Sequence, residues 1–173
     1  RGSPLTCTGC FMRARTLDAI DVKILAALQR EGRSTIQKLA GKVGLSPRPC
    51  LERVRRLEAA GVISGYRAVI ELEKLSKPIT VFAEIALESH ARHDQFERGV
   101  SKIEEIVECW EVSGAFDYVA RFVCADVARY EALTSGLIDD RSLAVTRIVS
   151  LIALRPVRRF AGYPASLLVP KTS

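Results

Sequence analysis

Apolar residues in the first half of the chain recur at helical spacing, and those in the second half recur at strand spacing. Ile20, Ile24 and Leu28 stand four apart and are joined by Leu25, the stripe of an amphipathic helix. Asp18 precedes this stripe as an N-cap, and Asp21 occupies the N3 position of a capping box. Leu17 and Val22 are spaced as a hydrophobic staple, and Gly32 supplies a stop. Ser34 and Gln37 form a second capping box, followed by Ile36, Leu39, Ala40 and Val43 on one face and by Gly44 at the end. Only Leu45 separates that stop from Ser46-Pro47, an N-cap serine with proline at the first helical position. Cys50, Val54 and Leu57 form the buried stripe of this third helix, and Gly61 closes it. Three short helices with so tight a second connection predict a helix-turn-helix. The loosely alternating run from Val62 to Ile70, around Ser64-Gly65, predicts a small β-wing, and the polar stretch from Glu71 to Pro78 predicts a linker.

Beyond Pro78 the period changes. Val81, Ala83, Ile85 and Leu87 alternate with Phe82, Glu84, Ala86 and Glu88, which predicts a strand. Phe96, Val100 and Ile103 place a helix over 94–105, and residues 106–112 read as a second strand. A turn at Ser113-Gly114-Ala115-Phe116 leads to a third strand over 118–124. Asp126 caps a second helix carrying Val127, Tyr130, Leu133 and Leu137 on one face, and residues 145–154 form a last apolar strand. The order βαββαβ is the ferredoxin-like arrangement, with helices on one face of an antiparallel sheet. The fold class is therefore α+β, an N-terminal winged helix-turn-helix followed by a ferredoxin-like βαββαβ domain. The opposite sheet face, with Phe82 and Ile152 as candidates, is left apolar, and a second copy of the chain is the usual cover for such a face.

Composition sharpens this picture. The 173 residues are 48% hydrophobic and 27% charged, which suits one large or two small globular domains and excludes a disordered chain. The boundaries read as a tail or appended extension at 1–15, the winged helix-turn-helix unit at 16–70, a linker at 71–78, the βαββαβ domain at 79–155 and a C-terminal tail at 156–173. The net charge of +6 is unevenly spread. Residues 1–77 carry 15 Lys and Arg against 7 Asp and Glu, whereas residues 78–173 carry 11 against 13. A basic half joined to a slightly acidic half points to one module for a polyanion and another for something else. No apolar run approaches the ~18 residues of a membrane span, and residues 1–15 lack the apolar stretch of a secretory signal. Five cysteines without a regular framework fit a reducing compartment, hence a cytoplasmic protein. Cys7 and Cys10 form a lone C-x-x-C, and with only two histidines, His90 and His93, no zinc set is expected. Those histidines flank Arg92 in a strand-to-helix loop and read as solvated. No cofactor is implied.

The third helix carries the chemistry. Arg48, Glu52, Arg53 and Arg56 fall opposite its apolar stripe. A recognition helix inserts its N-terminal turns into the major groove, so Ser46, Arg48, Pro49, Glu52 and Arg53 are placed for base edges or nearby phosphates. Arginine grips guanine O6 and N7 with two parallel bonds. Free N–H groups at the helix start and the Ser46 hydroxyl suit a phosphate. Arg55, Arg56 and the wing residue Arg67 are placed for backbone phosphates. A solvated cationic face is the bland alternative. The crowding of four arginines around one acid, after a tight turn, favours double-stranded DNA as the partner.

The run from Gly44 to Glu58, GLSPRPCLERVRRLE, resembles the recognition region of the Lrp/AsnC family of feast/famine regulators. The run from Leu17 to Leu25, LDAIDVKIL, is similar to the family's first helix, and VSGAFDY, Val112 to Tyr118, to the signature turn of its sensing domain. The resemblance spans about residues 16–155. It implies a transcriptional regulator rather than an enzyme, a homodimer built by sheet packing, further assembly to octamers, and an amino-acid effector bound between dimers that shifts assembly and DNA affinity. Carried over by position, Ser113, Gly114, Asp117 and Tyr118 lie on the effector loop, and Val149, Ser150 and Leu151 face it from the last strand. Asp117 suits the effector's ammonium group, although an aspartate after a glycine turn also commonly satisfies backbone donors. The lack of a second acid leans towards a neutral amino acid. Arg48 departs from the small residue frequent there, and residues 156–173 match nothing in the family. A ligand-independent architectural regulator and an amino-acid-binding oligomeric protein remain the alternatives.

Overall fold

The structure, a computed structural model, describes residues 17–169. The Cys7 to Cys10 motif and the rest of the N-terminal tail lie outside the described residues. The chain divides into two units, residues 1–69 with 159–173, and residues 70–158.

In the first unit, α1 spans Ala19–Arg30, α2 Ile36–Val43 and α3 Pro47–Ala59. The capping box at the start of α1 forms as expected, because Asp18 accepts the Ile20 and Asp21 amide protons while the Asp21 carboxylate accepts the Asp18 amide. The cap of α2 is Thr35, not Ser34, with its Oγ1 3.3 Å from the Lys38 amide nitrogen. A threonine in extended conformation one residue later does the same work and leaves Gln37 inside the first turn. Gly44 ends α2 with φ of 76°, the left-handed conformation that turns the chain into α3. Ile24, Leu39, Ala40, Cys50 and Leu57 are fully buried where the three helices meet.

One expectation for this unit changes. Residues 62–71 contain no strand, so the alternation there does not produce the expected β-wing ladder. The runs on either side of Ser64-Gly65 are only a few residues long, too short for a stable two-stranded ribbon alone. The C-terminal tail returns to the helices. Tyr163 donates its amide proton to Gln29 Oε1 at 2.6 Å, and Leu168 packs on the helical core.

The second unit is a four-stranded antiparallel sheet in the order β2-β3-β1-β4, with β1 at Ile79–Leu87, β2 at Ile106–Glu111, β3 at Tyr118–Cys124 and β4 at Val145–Ile152. Two helices, α4 at His93–Val100 and α5 at Val127–Asp139, complete the βαββαβ order. Val81, Ala83, Ile85, Ala120 and Phe122 point into a core shared with Phe96, Val100, Tyr130 and Leu137. α4 ends five residues before the expected limit, because Ser101 to Glu105 turns into β2 instead. The register also corrects the open face. Phe82 stands opposite Leu151, whereas Ile152 stands opposite the buried Val81. Paired residues share a face, so Leu151 and not Ile152 accompanies Phe82. Trp110, opposite Val119, is exposed on the same face as Phe82.

Candidate functional site

The first half of α3 is the most open cationic surface among the candidate residues. Arg48 is 90% and Glu52 66% exposed, and they face one another one turn apart with 3.5 Å between Nε and Oε1. Ser46, Pro49, Arg55 and Arg67 are exposed as well. The helix start offers less to a phosphate than the bare sequence suggests. Pro47 and Pro49 have no N–H, which leaves the Arg48 amide as the free donor of the first turn. The same fact explains why the Ser46 hydroxyl makes no capping bond, since its usual N3 partner would be Pro49.

Arg53 and Arg56 do not stand free beside Arg48. Arg53 Nη1 donates to Asp18 Oδ2 at 2.6 Å and to Asp21 Oδ1 at 2.8 Å. Arg56 Nη2 donates to both oxygens of Asp21 at 2.9 and 2.7 Å. The hydrogen bond from the Asp21 amide, and after it that from Arg53, hold the Asp18 carboxyl below the usual carboxylate range, and the two aspartates in turn raise the Arg53 guanidinium. Helical periodicity places Arg53 on the outward side; its actual neighbour, α1, lies more than thirty residues earlier in the chain.

The second candidate site lies at one end of the sheet. The chain from Val112 to Asp117 closes on itself through Val112 N–H donating to Asp117 O at 2.9 Å. Gly114 adopts φ of 137°, which few residues with a Cβ tolerate, although space around it is open. The β1–β3 pairing ends at Ile85 opposite Tyr118, which leaves the Leu87 amide beyond the last paired position of β3. The Asp117 carboxylate accepts that amide proton through Oδ2 at 2.7 Å. Its Oδ1 lies 3.7 Å from His93 Nε2, while His93 Nδ1 is 3.3 Å from Glu111 Oε1.

His93 therefore overturns the expectation of a solvated loop histidine, for its side chain is only 14% exposed at the first position of α4. Its ring tilts against Tyr118, whose hydroxyl donates to Glu97 at 3.0 Å. Burial, with Glu97 beside it, pushes the Tyr118 hydroxyl well above its ordinary range. Phe116 lies beneath the Arg147 guanidinium at 4.5 Å, a cation–π contact that brings β4 to the loop. Neither His93 nor Arg147 stands in the VSGAFDY run, and only the folded register brings them to it. Val149, Ser150 and Leu151 do not share a face. Val149 and Leu151 lie on the open side of the sheet, whereas the Ser150 hydroxyl is 2.6 Å from that of Tyr130 on α5.

Comparison with known proteins joins the two sites in one lineage. Residues 17–64 match the winged helix-turn-helix DNA-binding family, and residues 80–161 match the Lrp/AsnC ligand binding domain. The leucine-responsive regulatory protein of Haemophilus influenzae is 50% identical over 143 residues, covering 77% of this chain and 86% of that protein. The chain belongs to the Lrp/AsnC family. The leucine-responsive regulatory protein of Escherichia coli K12 is 46% identical over 140 residues, covering 76% of this chain and 85% of that protein. Among solved structures, an AsnC family transcriptional regulator from Agrobacterium tumefaciens shares 32% identity with a TM-score of 0.81, covering 88% of this chain and all of that one. A transcriptional regulator from Neisseria meningitidis in complex with L-Met shares 28% identity with a TM-score of 0.82, covering 89% of this chain and all of that one. As a member of the Lrp/AsnC family the protein is a ligand-responsive, DNA-binding transcriptional regulator. Among its described residues no helix is long and apolar enough to cross a membrane.

Proposed function

We propose that this Lrp/AsnC regulator reads DNA through the exposed N-terminal half of α3 and changes its assembly when a neutral aliphatic amino acid, leucine first among them, binds at the Val112 to Tyr118 loop. The observation that carries the DNA assignment is the pair Arg48 and Glu52, open to solvent directly after the Gly44 turn. Arg48 and Glu52 meet base edges, the Ser46 hydroxyl and Arg48 amide meet a phosphate, Pro49 sets the approach of the helix start, and Arg55 and Arg67 hold the backbone. Leucine is favoured because relatives at 46–50% identity are leucine-responsive regulatory proteins, and the neighbour holding L-Met supports an amino-acid ligand in this fold. In this reading Asp117 keeps Oδ2 on the Leu87 amide and offers Oδ1 to the ligand ammonium, beside His93. The backbone around Gly114 takes the carboxylate. The open sheet face, with Phe82, Trp110, Val149 and Leu151, pairs two chains into a homodimer in the cytoplasm, and dimers assemble further around the ligand. No catalysis is involved.

The test is thermal stability of the purified protein against each of the twenty amino acids, followed by DNA binding with those that raise the midpoint. A ligand that binds only the folded form stabilises it by mass action. Leucine or a close neutral analogue should raise the midpoint and alter DNA affinity. A response confined to charged amino acids, or to none, would overturn the effector assignment. DNA affinity that does not fall with salt would overturn the phosphate contacts.

A further inference from the structure

We propose that Asp21 sets the DNA specificity of this regulator by withholding two recognition-helix arginines from nucleic acid. Its carboxylate is almost wholly buried, with 2% of the side chain exposed. Oδ1 accepts from Arg53 and Arg56, and Oδ2 accepts from Arg56 and from the Asp18 amide. Four acceptor positions are about all that a carboxylate has, so the group is saturated. Arg53 is gripped a second time by Asp18, and it retains only 24% of its exposure. For Arg53 to reach a phosphate it must leave two anionic partners, one of them buried. Arg56, half-exposed, is held through both oxygens of the same buried carboxylate, whereas the exposed Arg48 faces only the solvent-open Glu52.

The arrangement changes what the arginine-rich run does. Phosphate contacts supply affinity without sequence information, and each adds to the salt dependence. Two arginines committed to α1 remove such contacts from every DNA sequence alike. They also fix α3 against α1 at two successive turns, which holds Arg48 and Glu52 in one approach to the groove. Asp21 thus lowers the non-specific background while leaving the base-reading end of α3 untouched. The effector and the sensing unit play no part in this. A change of base preference in Arg48→Ala tests the base-reading assignment separately, so the two can fail independently.

The experiment uses the full chain and two duplexes, one of random sequence and one enriched by the wild-type protein from a random pool. Binding is measured by fluorescence anisotropy over a series of salt concentrations, with folding checked by circular dichroism. Asp21→Asn should release Arg56 and leave Arg53 with Asp18 as its one anionic partner. Binding to the random duplex then tightens, and the slope of log affinity against log salt steepens by about one to two. The ratio of affinities between the enriched and random duplexes falls. An unchanged or shallower slope for Asp21→Asn overturns the proposal. Arg53→Gln, in which Arg56 still occupies Asp21, provides the second arm and keeps the proposal refutable if Asp21→Asn does not fold. Its slope on the random duplex should match the wild type. A slope shallower by about one would mean that Arg53 binds phosphate directly, and the proposal would be wrong. A merely structural network would change the midpoint of unfolding in both variants and leave both slopes where they were.

Discussion

The loop aspartate allows its two possible roles to be separated by replacing it twice. Asp117 is three-quarters buried, and its Oδ2 accepts the Leu87 amide proton at 2.7 Å, beyond the last residue of β1 that pairs with β3. A hydrogen bond to a charged group contributes about 1.5–3 kcal/mol net, and an orphaned buried donor costs about 1–3 kcal/mol. Asp117→Ala leaves the Leu87 amide unpaired and should lower stability by about 2 kcal/mol. Asp117→Asn keeps an oxygen at the same place and loses only the charge assistance, about 1 kcal/mol. The expected order is wild type, then Asn, then Ala, read as urea midpoints at one fixed protein concentration with an unchanged slope. The same samples with leucine report the second role. At a hundredfold excess over its dissociation constant a ligand adds about 2.7 kcal/mol to the wild type. If Asp117 holds the ammonium, that increment vanishes in the Asn variant although the fold is retained. An Asp117→Ala protein as stable as the wild type would refute the strand-end capping argument. A full leucine increment in Asp117→Asn would refute the ammonium contact.

Other outcomes follow from single contacts. Gly44→Ala should cost about 1–2 kcal/mol although nothing lies within 4 Å of the added carbon, because the penalty is the left-handed backbone and not a clash; an unchanged thermal midpoint would contradict this. Leu151→Glu places a charge on the open sheet face opposite Phe82 and should convert the proposed homodimer to monomers in size-exclusion chromatography, whereas an intact dimer would mean that another face is used. Glu31 is held down to about 2, first by its hydrogen bond to Lys38 and then by that to Lys42. Its folded value lies below the unfolded one, so its contribution is present above the ordinary value near 4.5 and is lost as pH falls towards 2. The Glu31 carboxyl resonance should therefore titrate near 2 in low salt and move upward as salt screens these exposed partners, and a midpoint near 4.5 in low salt would remove the ion cluster. Tyr130→Phe removes the hydroxyl bonded to Ser150 and keeps the ring edge-on to Phe122, so urea unfolding should show a loss of about 0.5–1.5 kcal/mol.

What the sequence determined by itself is what neighbours within a few residues decide. The Asp18 and Asp126 caps, the Gly44 turn, the Ser46-Pro47 start and the alternation from Tyr118 to Cys124 all act within one or two turns or along one strand, and each formed where the pattern placed it. The cationic character of α3 was legible in the same way. Local patterns also erred where two solutions a residue apart were nearly equivalent, as with Thr35 capping α2 in place of Ser34. Tertiary structure decided which charged groups are available. Arg53 and Arg56 meet Asp21 across 32 and 35 residues, His93 meets Asp117 across 24, and Gln29 meets Tyr163 across 134. Periodicity says which side of an element is apolar, but it carries no information about what stands opposite the polar side. The partner of Phe82 depended in the same manner on strand register, since a shift of one residue exchanges Leu151 for Ile152 and turns one face of the sheet into the other.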